Sequence, residues 1–260
     1  MILKIENLTS GYYSVPVIKN INLEISEGEI IGILGPNGAG KSTLFKNVLR
    51  IIKPFNGYIY YKGKNVFEIP NKEYAQNVSA VFPFLNRINM TVKDFLLLAR
   101  IPHFKRFQFF ETKKDEEIVE YYLKITGIYK LKNKFLTQLS AGELQMAIIA
   151  KALSQQSKLL LLDEPVSHLD IHHQVKVLNI LKEINKLNSL TMLIILHDLN
   201  LASEYCDRIV LMKSGKIIKE GKPSEVIKKD IIESVYETDV IVEKNNLTGN
   251  PNIFLAGYKN

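Results

Sequence analysis

Cysteine is almost missing from this chain of 260 residues, where Cys206 stands alone. One thiol cannot close an internal disulfide, and such sparing use suits a reducing cytoplasm. On that expectation, Asn-x-Ser/Thr triplets such as Asn7-Leu8-Thr9 are chance matches rather than glycan acceptors. No apolar run approaches the ~20 residues that a helix needs to cross a bilayer. The opening MILKIENLTS has neither the basic region nor the apolar core of a signal peptide. Internal repeats and low-complexity tracts are also missing, which sets repeat architectures aside. What remains is ordinary for a globular protein, at 46% hydrophobic and 23% charged residues. The length suffices for one large core plus a small inserted subdomain.

The formal net charge of +7 raises nucleic acid or an anionic membrane surface as partners. The charge is spread along the chain and is densest between Arg100 and Lys114. There His103, Lys105, Arg106, Lys113 and Lys114 interleave with Phe104, Phe107, Phe109 and Phe110. Such interleaving suits nucleic acid, a helix near lipid headgroups, or a core-facing stripe with a solvated face. Composition alone favours the stripe.

The most specific signal is Gly35-Pro-Asn-Gly-Ala-Gly-Lys-Ser-Thr43. The apolar run Glu29–Leu34 before it predicts a buried strand, and Leu44–Ile52 after it predicts a helix. Strand, glycine-rich loop and helix N-terminus together make a phosphate-binding loop. Gly35, Gly38 and Gly40 allow tight turns that face backbone N–H groups toward an anion. The helix adds its positive dipole end at the same place. Lys41 would reach the β- and γ-phosphates of a nucleoside triphosphate, and the Ser42 hydroxyl would ligate Mg²⁺.

Farther along, strands expected near Leu3–Leu8, Ile18–Ile25, Tyr58–Tyr61 and Val78–Phe82 precede helices at Thr91–Arg100, Asp115–Gly127 and Glu143–Leu153. Alternation then resumes with Leu159–Leu162, Ile171–Leu187, Met192–Leu196, Leu199–Tyr205 and Ile209–Met212. Strands alternating with helices imply a mostly parallel sheet. The helix-rich stretch near 86–154 reads as an inserted helical subdomain.

Leu159-Leu-Leu-Leu-Asp163-Glu164 places two carboxylates at the carboxyl end of an apolar strand, where ligands bind in parallel sheets. Asp163 would support Mg²⁺, and Glu164 would orient and deprotonate the attacking water. Ser140 followed by Glu143 fits a capping box, and Leu144, Ile148, Ile149 and Leu153 continue the helix. That element is either a plain helix start or a second anion-binding N-terminus that serves ATP on another subunit. His197, after the strand ending at Leu196, is equally a structural histidine or a donor to the γ-phosphate.

In this order, the P-loop, Leu139-Ser-Ala-Gly-Glu143, LLLLDEP, SHLD and LHDLN resemble an ATP-binding-cassette (ABC) ATPase over about residues 1–240. DEPVSHLDIHHQ, LHDLNLA and GKIIKEGKPSEVI are similar to the ATPase subunits of importers for ferric siderophores, haem and cobalamin. The resemblance implies an α/β fold. Its parts are a P-loop NTPase (RecA-like) core, an N-terminal antiparallel β subdomain and the inserted α-helical subdomain, with 241–260 as a C-terminal extension.

It also implies roles. Tyr12 stacks on adenine, and Gly35, Pro36, Asn37, Gly38, Ala39, Gly40, Lys41, Ser42 and Thr43 form Walker A. Ser140, Ala141, Gly142 and Glu143 are the signature, and Asp170 belongs to the D-loop. Ser42 and Asp163 serve the metal, Glu164 is the catalytic base and His197 the switch histidine. ATP and Mg²⁺ are the expected cofactors. Partners are a second ATPase chain in a head-to-tail homodimer, membrane permease subunits and a separate substrate-binding protein, with no nucleic acid. The place of action is the cytoplasmic face of the membrane, peripherally.

Four positions depart from the family pattern: Pro83 where a glutamine is usual, Ala141 for glycine, Met146 for arginine and Val166 for threonine. Pro83 offers no side-chain donor, and Ala141 would be strained if its site needs φ > 0. These departures keep open a degenerate ATP-binding clamp with little turnover. The basic charge keeps open a non-transport ABC ATPase acting on nucleic acid or the ribosome.

Overall fold

The computed structural model describes residues 1–82 and 88–256. It divides into two compact units, Met1–Glu68 with Thr191–Asn260, and Ile69–Leu190. Pro83 lies outside the described residues.

The first unit opens with strands β1 (Leu3–Tyr12) and β2 (Val15–Ile25), then β3 (Ile30–Leu34), helix α1 (Lys41–Val48), β4 (Asn56–Tyr61) and the short β5 (Lys64–Asn65). Alternation of buried and exposed residues along β1 and β2 gives these strands one core face, with Leu3 opposite Ile25 and Ile5 opposite Leu23. They join β4 and β5 in an antiparallel sheet ordered β2-β1-β4-β5.

The second unit holds α2 (Asn71–Asn77), β6 (Val78–Val81), α3 (Val92–Leu97), α4 (Lys113–Ile125), α5 (Ala141–Ser154), β7 (Leu159–Asp163) and α6 (Ile171–Asn188). β6 and β7 pair in parallel, Val78 opposite Leu159. Phe95, Leu96, Val119, Leu123, Ile148 and Ile149 are buried where α3, α4 and α5 meet. Thr91, Thr112 and Ser140 cap these three helices with their hydroxyls. The helix expected over Thr91–Arg100 stops at Leu97 and tightens into a 3₁₀ turn, Leu98–His103. Pro102, which has no N–H to donate, sits inside that turn.

The Arg100 guanidinium is buried, and its Nε lies 3.0 Å from Asp115 Oδ1 while Nη1 donates to Ser154 O at 2.7 Å. The core-facing stripe favoured by composition does not form. Phe107, Phe109 and Phe110 are 77%, 80% and 80% exposed, because the chain leaves regular helix before it reaches them.

The chain returns to the first unit through β8 (Thr191–Ile195), α7 (Leu199–Tyr205), β9 (Arg208–Lys213), β10 (Lys216–Gly221), α8 (Pro223–Val226), α9 (Lys229–Tyr236), β11 (Val240–Lys244) and β12 (Pro251–Leu255). β3 runs parallel to both β8 and β9, with Ile31 opposite Leu193 and Arg208. β10 turns back antiparallel on β9. Every residue of β3 and β8 is buried, as continuous apolar runs require in a parallel sheet.

The final stretch, which the sequence left without chemistry, is a β11–β12 hairpin that clasps α7. Asn200 exchanges hydrogen bonds with Ile253 at 3.1 and 2.7 Å, and the Ser203 hydroxyl donates to Pro251 O at 2.7 Å.

Candidate nucleotide site

The loop after β3 carries the phosphate-binding geometry within the first unit. Gly40 precedes α1 at φ +97°, and a Cβ there would stand 2.5 Å from Ile18 Cγ2. Gly35, at φ +142°, would drive a Cβ into the Met212 carbonyl. Both positions require glycine on two counts, left-handed φ and space. No side chain caps α1, and its first turn holds no acidic residue.

The N–H groups of that first turn therefore point into the loop as an anion site. The loop is braced by Ala39 N donating to Pro36 O at 3.2 Å and Gly215 N donating to Ala39 O at 3.1 Å. Lys41 is 6% exposed, and its ammonium donates to the carbonyls of Gly35 at 2.7 Å and Pro36 at 3.1 Å. Thr43 is buried beside the core, whereas the Ser42 hydroxyl and Asn37 face solvent. A cation, bare amides and an exposed hydroxyl around one loop fit a polyphosphate and a hard metal ion.

Two more predicted residues belong to this unit. Tyr12 is 37% exposed, with Lys46 Nζ 3.1 Å from its hydroxyl and 5.3 Å from its ring centre. Burial pushes that hydroxyl up, but the Lys46 hydrogen bond and charge prevail and hold it below its ordinary value. His197 is exposed just past β8. Because Ile33 pairs with Ile195, His197 and the loop leaving β3 share one carboxyl edge. Asp198 beside it caps α7, accepting from Asn200 N at 2.8 Å and Leu201 N at 3.0 Å.

The other predicted residues lie in the second unit. Asp163 ends β7 and is 7% exposed. Glu164 follows at φ +52°, a left-handed backbone that costs a non-glycine residue roughly 1–2 kcal/mol. The turn that holds it is well bonded: Ser167 donates to Glu164 O through N at 3.2 Å and Oγ at 2.9 Å. Gln145 of α5 reaches Pro165 O at 2.7 Å, tying α5 to this turn.

Ser140 and Glu143 form the predicted capping box, with Ser140 N to Glu143 Oε2 at 2.8 Å and Glu143 N to Ser140 Oγ at 3.3 Å. The bonds from Ser140, its backbone N–H foremost, hold the Glu143 carboxyl below the usual range. Ala141 is the first residue of α5 and is absent from the positive-φ positions, so the strain anticipated there does not arise. Met146 and Val166 are 3% and 6% exposed, so both substitute an apolar side chain in a packed interior.

The steric demand falls one residue later. A Cβ on Gly142 would meet the His173 ring at 2.7 Å from Cδ2 and 2.9 Å from Nε2. Asp170 holds that ring, accepting from His173 N at 2.9 Å and bracketing Nδ1 at 2.9 and 3.0 Å. Asp170 and Gly142 thus meet through His173, which sequence reasoning missed. The spacing of Asp170 as N-cap and His173 three residues on was the available signal. Tyr12, the P-loop and His197 fall in one unit, and the carboxylates, signature and Asp170 in the other.

A family model described as ABC transporter matches residues 18–167. The uncharacterized ABC transporter ATP-binding protein MJ0089 of Methanocaldococcus jannaschii is 38% identical over 99% of both chains. The ferric enterobactin transport ATP-binding protein FepC of Escherichia coli is 34% identical over 97% of this chain and 93% of its own. The solved structure of cbiO1 from Clostridium perfringens, part of the ABC transporter complex cbiONQ, is similar with a TM-score of 0.79. It is 31% identical over 90% of this chain and 93% of that one. Similarity over nearly the whole length, joined to the P-loop geometry, shows that the chain belongs to the ABC transporter family as an ATP-binding subunit that couples ATP hydrolysis to transport.

Proposed function

We propose that this chain energises an importer for a ferric siderophore, with haem and cobalamin the other cargoes of the group it resembles. Similarity to the ferric enterobactin transport protein over 97% of the chain supports that cargo class. Its partners in this reading are a second copy of the chain, two membrane permease subunits and a separate substrate-binding protein. No described helix is long and apolar enough to cross a membrane, and the chain would work peripherally at the cytoplasmic face. Residues 1–240 would act as one cassette with the helical segment near 86–154 inserted, and 241–260 would extend it.

The observation that carries the reading is the uncapped N-terminus of α1 with Lys41 resting on the carbonyls of Gly35 and Pro36. When ATP binds, the ammonium exchanges those carbonyls for β- and γ-phosphate oxygens, while loop amides from Gly35 to Thr43 hold the polyphosphate. Tyr12 stacks on the base. Ser42 and Asp163 are the residues that would hold Mg²⁺, whose contribution is to neutralise phosphate charge. The Glu164 carboxylate accepts a proton from the attacking water as its oxygen bonds to the γ-phosphorus and the bond to ADP breaks. His197 donates a hydrogen bond to the γ-phosphate. Ser140, Ala141, Gly142 and Glu143 of one chain, with Asp170, complete the site on the other. ATP then favours the closed pair, and its loss the open one.

The test is Mg²⁺-dependent ATP turnover by the purified chain, beside Glu164→Gln and Pro83→Gln. The expected result is turnover that rises faster than linearly with protein concentration. Glu164→Gln should lose ~10²–10⁴-fold, the usual contribution of a general base, while ATP binding persists. A silent wild type revived by Pro83→Gln would replace this reading with an ATP-binding clamp.

A further inference from the structure

The segment between the 3₁₀ turn and α4 holds none of the predicted nucleotide-site residues, yet it is the most concentrated aromatic surface among the described residues. Phe107, Phe109 and Phe110 are 77%, 80% and 80% exposed within four positions. Lys105, Arg106, Lys113 and Lys114 flank them, all exposed. Among the described residues none of these four cations has a carboxylate partner.

Two of the four nearby acids are engaged elsewhere, Asp115 with Arg100 at 3.0 Å and Glu116 with Lys93 at 2.8 Å, so Glu111 and Glu117 stand against four cations. The segment is also held in shape. Gln108 Oε1 accepts from Lys105 N at 2.9 Å, and Gln108 Nε2 donates to Phe110 O at 2.9 Å. Gln76 Nε2 donates to Pro102 O at 2.8 Å, and Lys72 binds the Phe104 carbonyl. Phe107 sits in the left-handed region at φ +66° with Arg106 over its ring at 5.1 Å. A bonded loop that nonetheless exposes three aromatic rings marks an interaction surface.

We propose that this aromatic and basic loop docks on anionic lipid headgroups, seating the phenylalanines at the acyl boundary and the cations among the phosphates. Charge complementarity selects this occupant. Unpaired cations around apolar rings match a negatively charged interface, and each lysine or arginine near such a surface strengthens partition about fivefold. The inference deepens the reading of a subunit that works against a membrane. It stands or falls apart from that reading, because ATP turnover is measured separately.

The experiment is cosedimentation of the whole chain with vesicles of phosphatidylcholine, with and without anionic phosphatidylglycerol, at low and physiological salt. Compared with the wild type are a Phe107→Ser, Phe109→Ser, Phe110→Ser triple variant and a Lys105→Gln, Arg106→Gln double variant, each checked for unchanged ATP turnover. Binding is expected only with the anionic lipid. It should weaken with salt, fall about 25-fold in the double variant, and fall at least tenfold in the triple variant. Equal binding to neutral vesicles, or partition unchanged in either variant, overturns the proposal. So does binding of single-stranded oligonucleotide in place of vesicles, or loss of permease assembly in the triple variant without any vesicle binding.

Discussion

Replacing Gly142 by alanine isolates its contact with the His173 ring that Asp170 holds. In an unencumbered helix the change should stabilise, since alanine is better than glycine by about 1 kcal/mol. Here the new methyl would lie 2.7 Å from His173 Cδ2, 2.9 Å from Nε2 and 3.2 Å from Cγ. Turning the imidazole away gives up the contact with Asp170, which brackets its Nδ1 at 2.9 and 3.0 Å. Overpacking of this kind costs about 1–3 kcal/mol, so Gly142→Ala should be neutral to about 2 kcal/mol destabilising.

With His173 cut back to alanine the obstruction is gone, and the same change should stabilise by up to about 1 kcal/mol. The coupling between the two sites is then about 1–3 kcal/mol, readable in a double-mutant cycle by urea unfolding. ATP turnover should fall in Gly142→Ala and recover in part in the double variant. Additivity within about 0.5 kcal/mol, or a single variant more stable than wild type, would refute the reasoning.

Four other outcomes follow from the geometry. Asp115→Ala strands the buried Arg100 guanidinium and should cost about 3–5 kcal/mol in thermal or urea unfolding. Burial pushes the Asp115 carboxyl up, but the Thr112 hydrogen bonds and Arg100 outweigh it and leave the group below the ordinary range. Its stabilising share is therefore fully present above the unfolded value of about 3.9 and is lost as pH falls through the lower folded value. Urea midpoints of wild type and Asp115→Asn should converge below about pH 4. Gly40→Ala meets both φ +97° and Ile18 at 2.5 Å, and should lose about 1–3 kcal/mol together with ATP binding. Ending the chain at Asp239 removes six hydrogen bonds on α7: two between Asn200 and Ile253, one from Ser203 to Pro251, and three onto Glu204 from Asn245, Thr248 and Asn250. At roughly 0.5–1.5 kcal/mol each, hydrogen exchange of the α7 amides should quicken at least tenfold.

Local chemistry is what could be read from the chain alone. The run Gly35 to Thr43 announces its loop because glycine conformation, helix dipole and lysine reach act within a few residues. The Ser140–Glu143 capping box and the buried runs of β3, β7 and β8 are legible for the same reason. Each is a relation between near neighbours in sequence.

The relations that only tertiary structure decided join distant positions. Gly142 meets His173, Gln145 meets Pro165, and the β11–β12 hairpin settles on Asn200 and Ser203. Neither Glu164 at φ +52° nor the exposure of Phe107, Phe109 and Phe110 follows from periodicity. A backbone is held in a costly conformation, or a ring left in water, only where surrounding contacts outweigh the local preference. Those contacts come from residues that the fold, and not the order of the chain, makes neighbours.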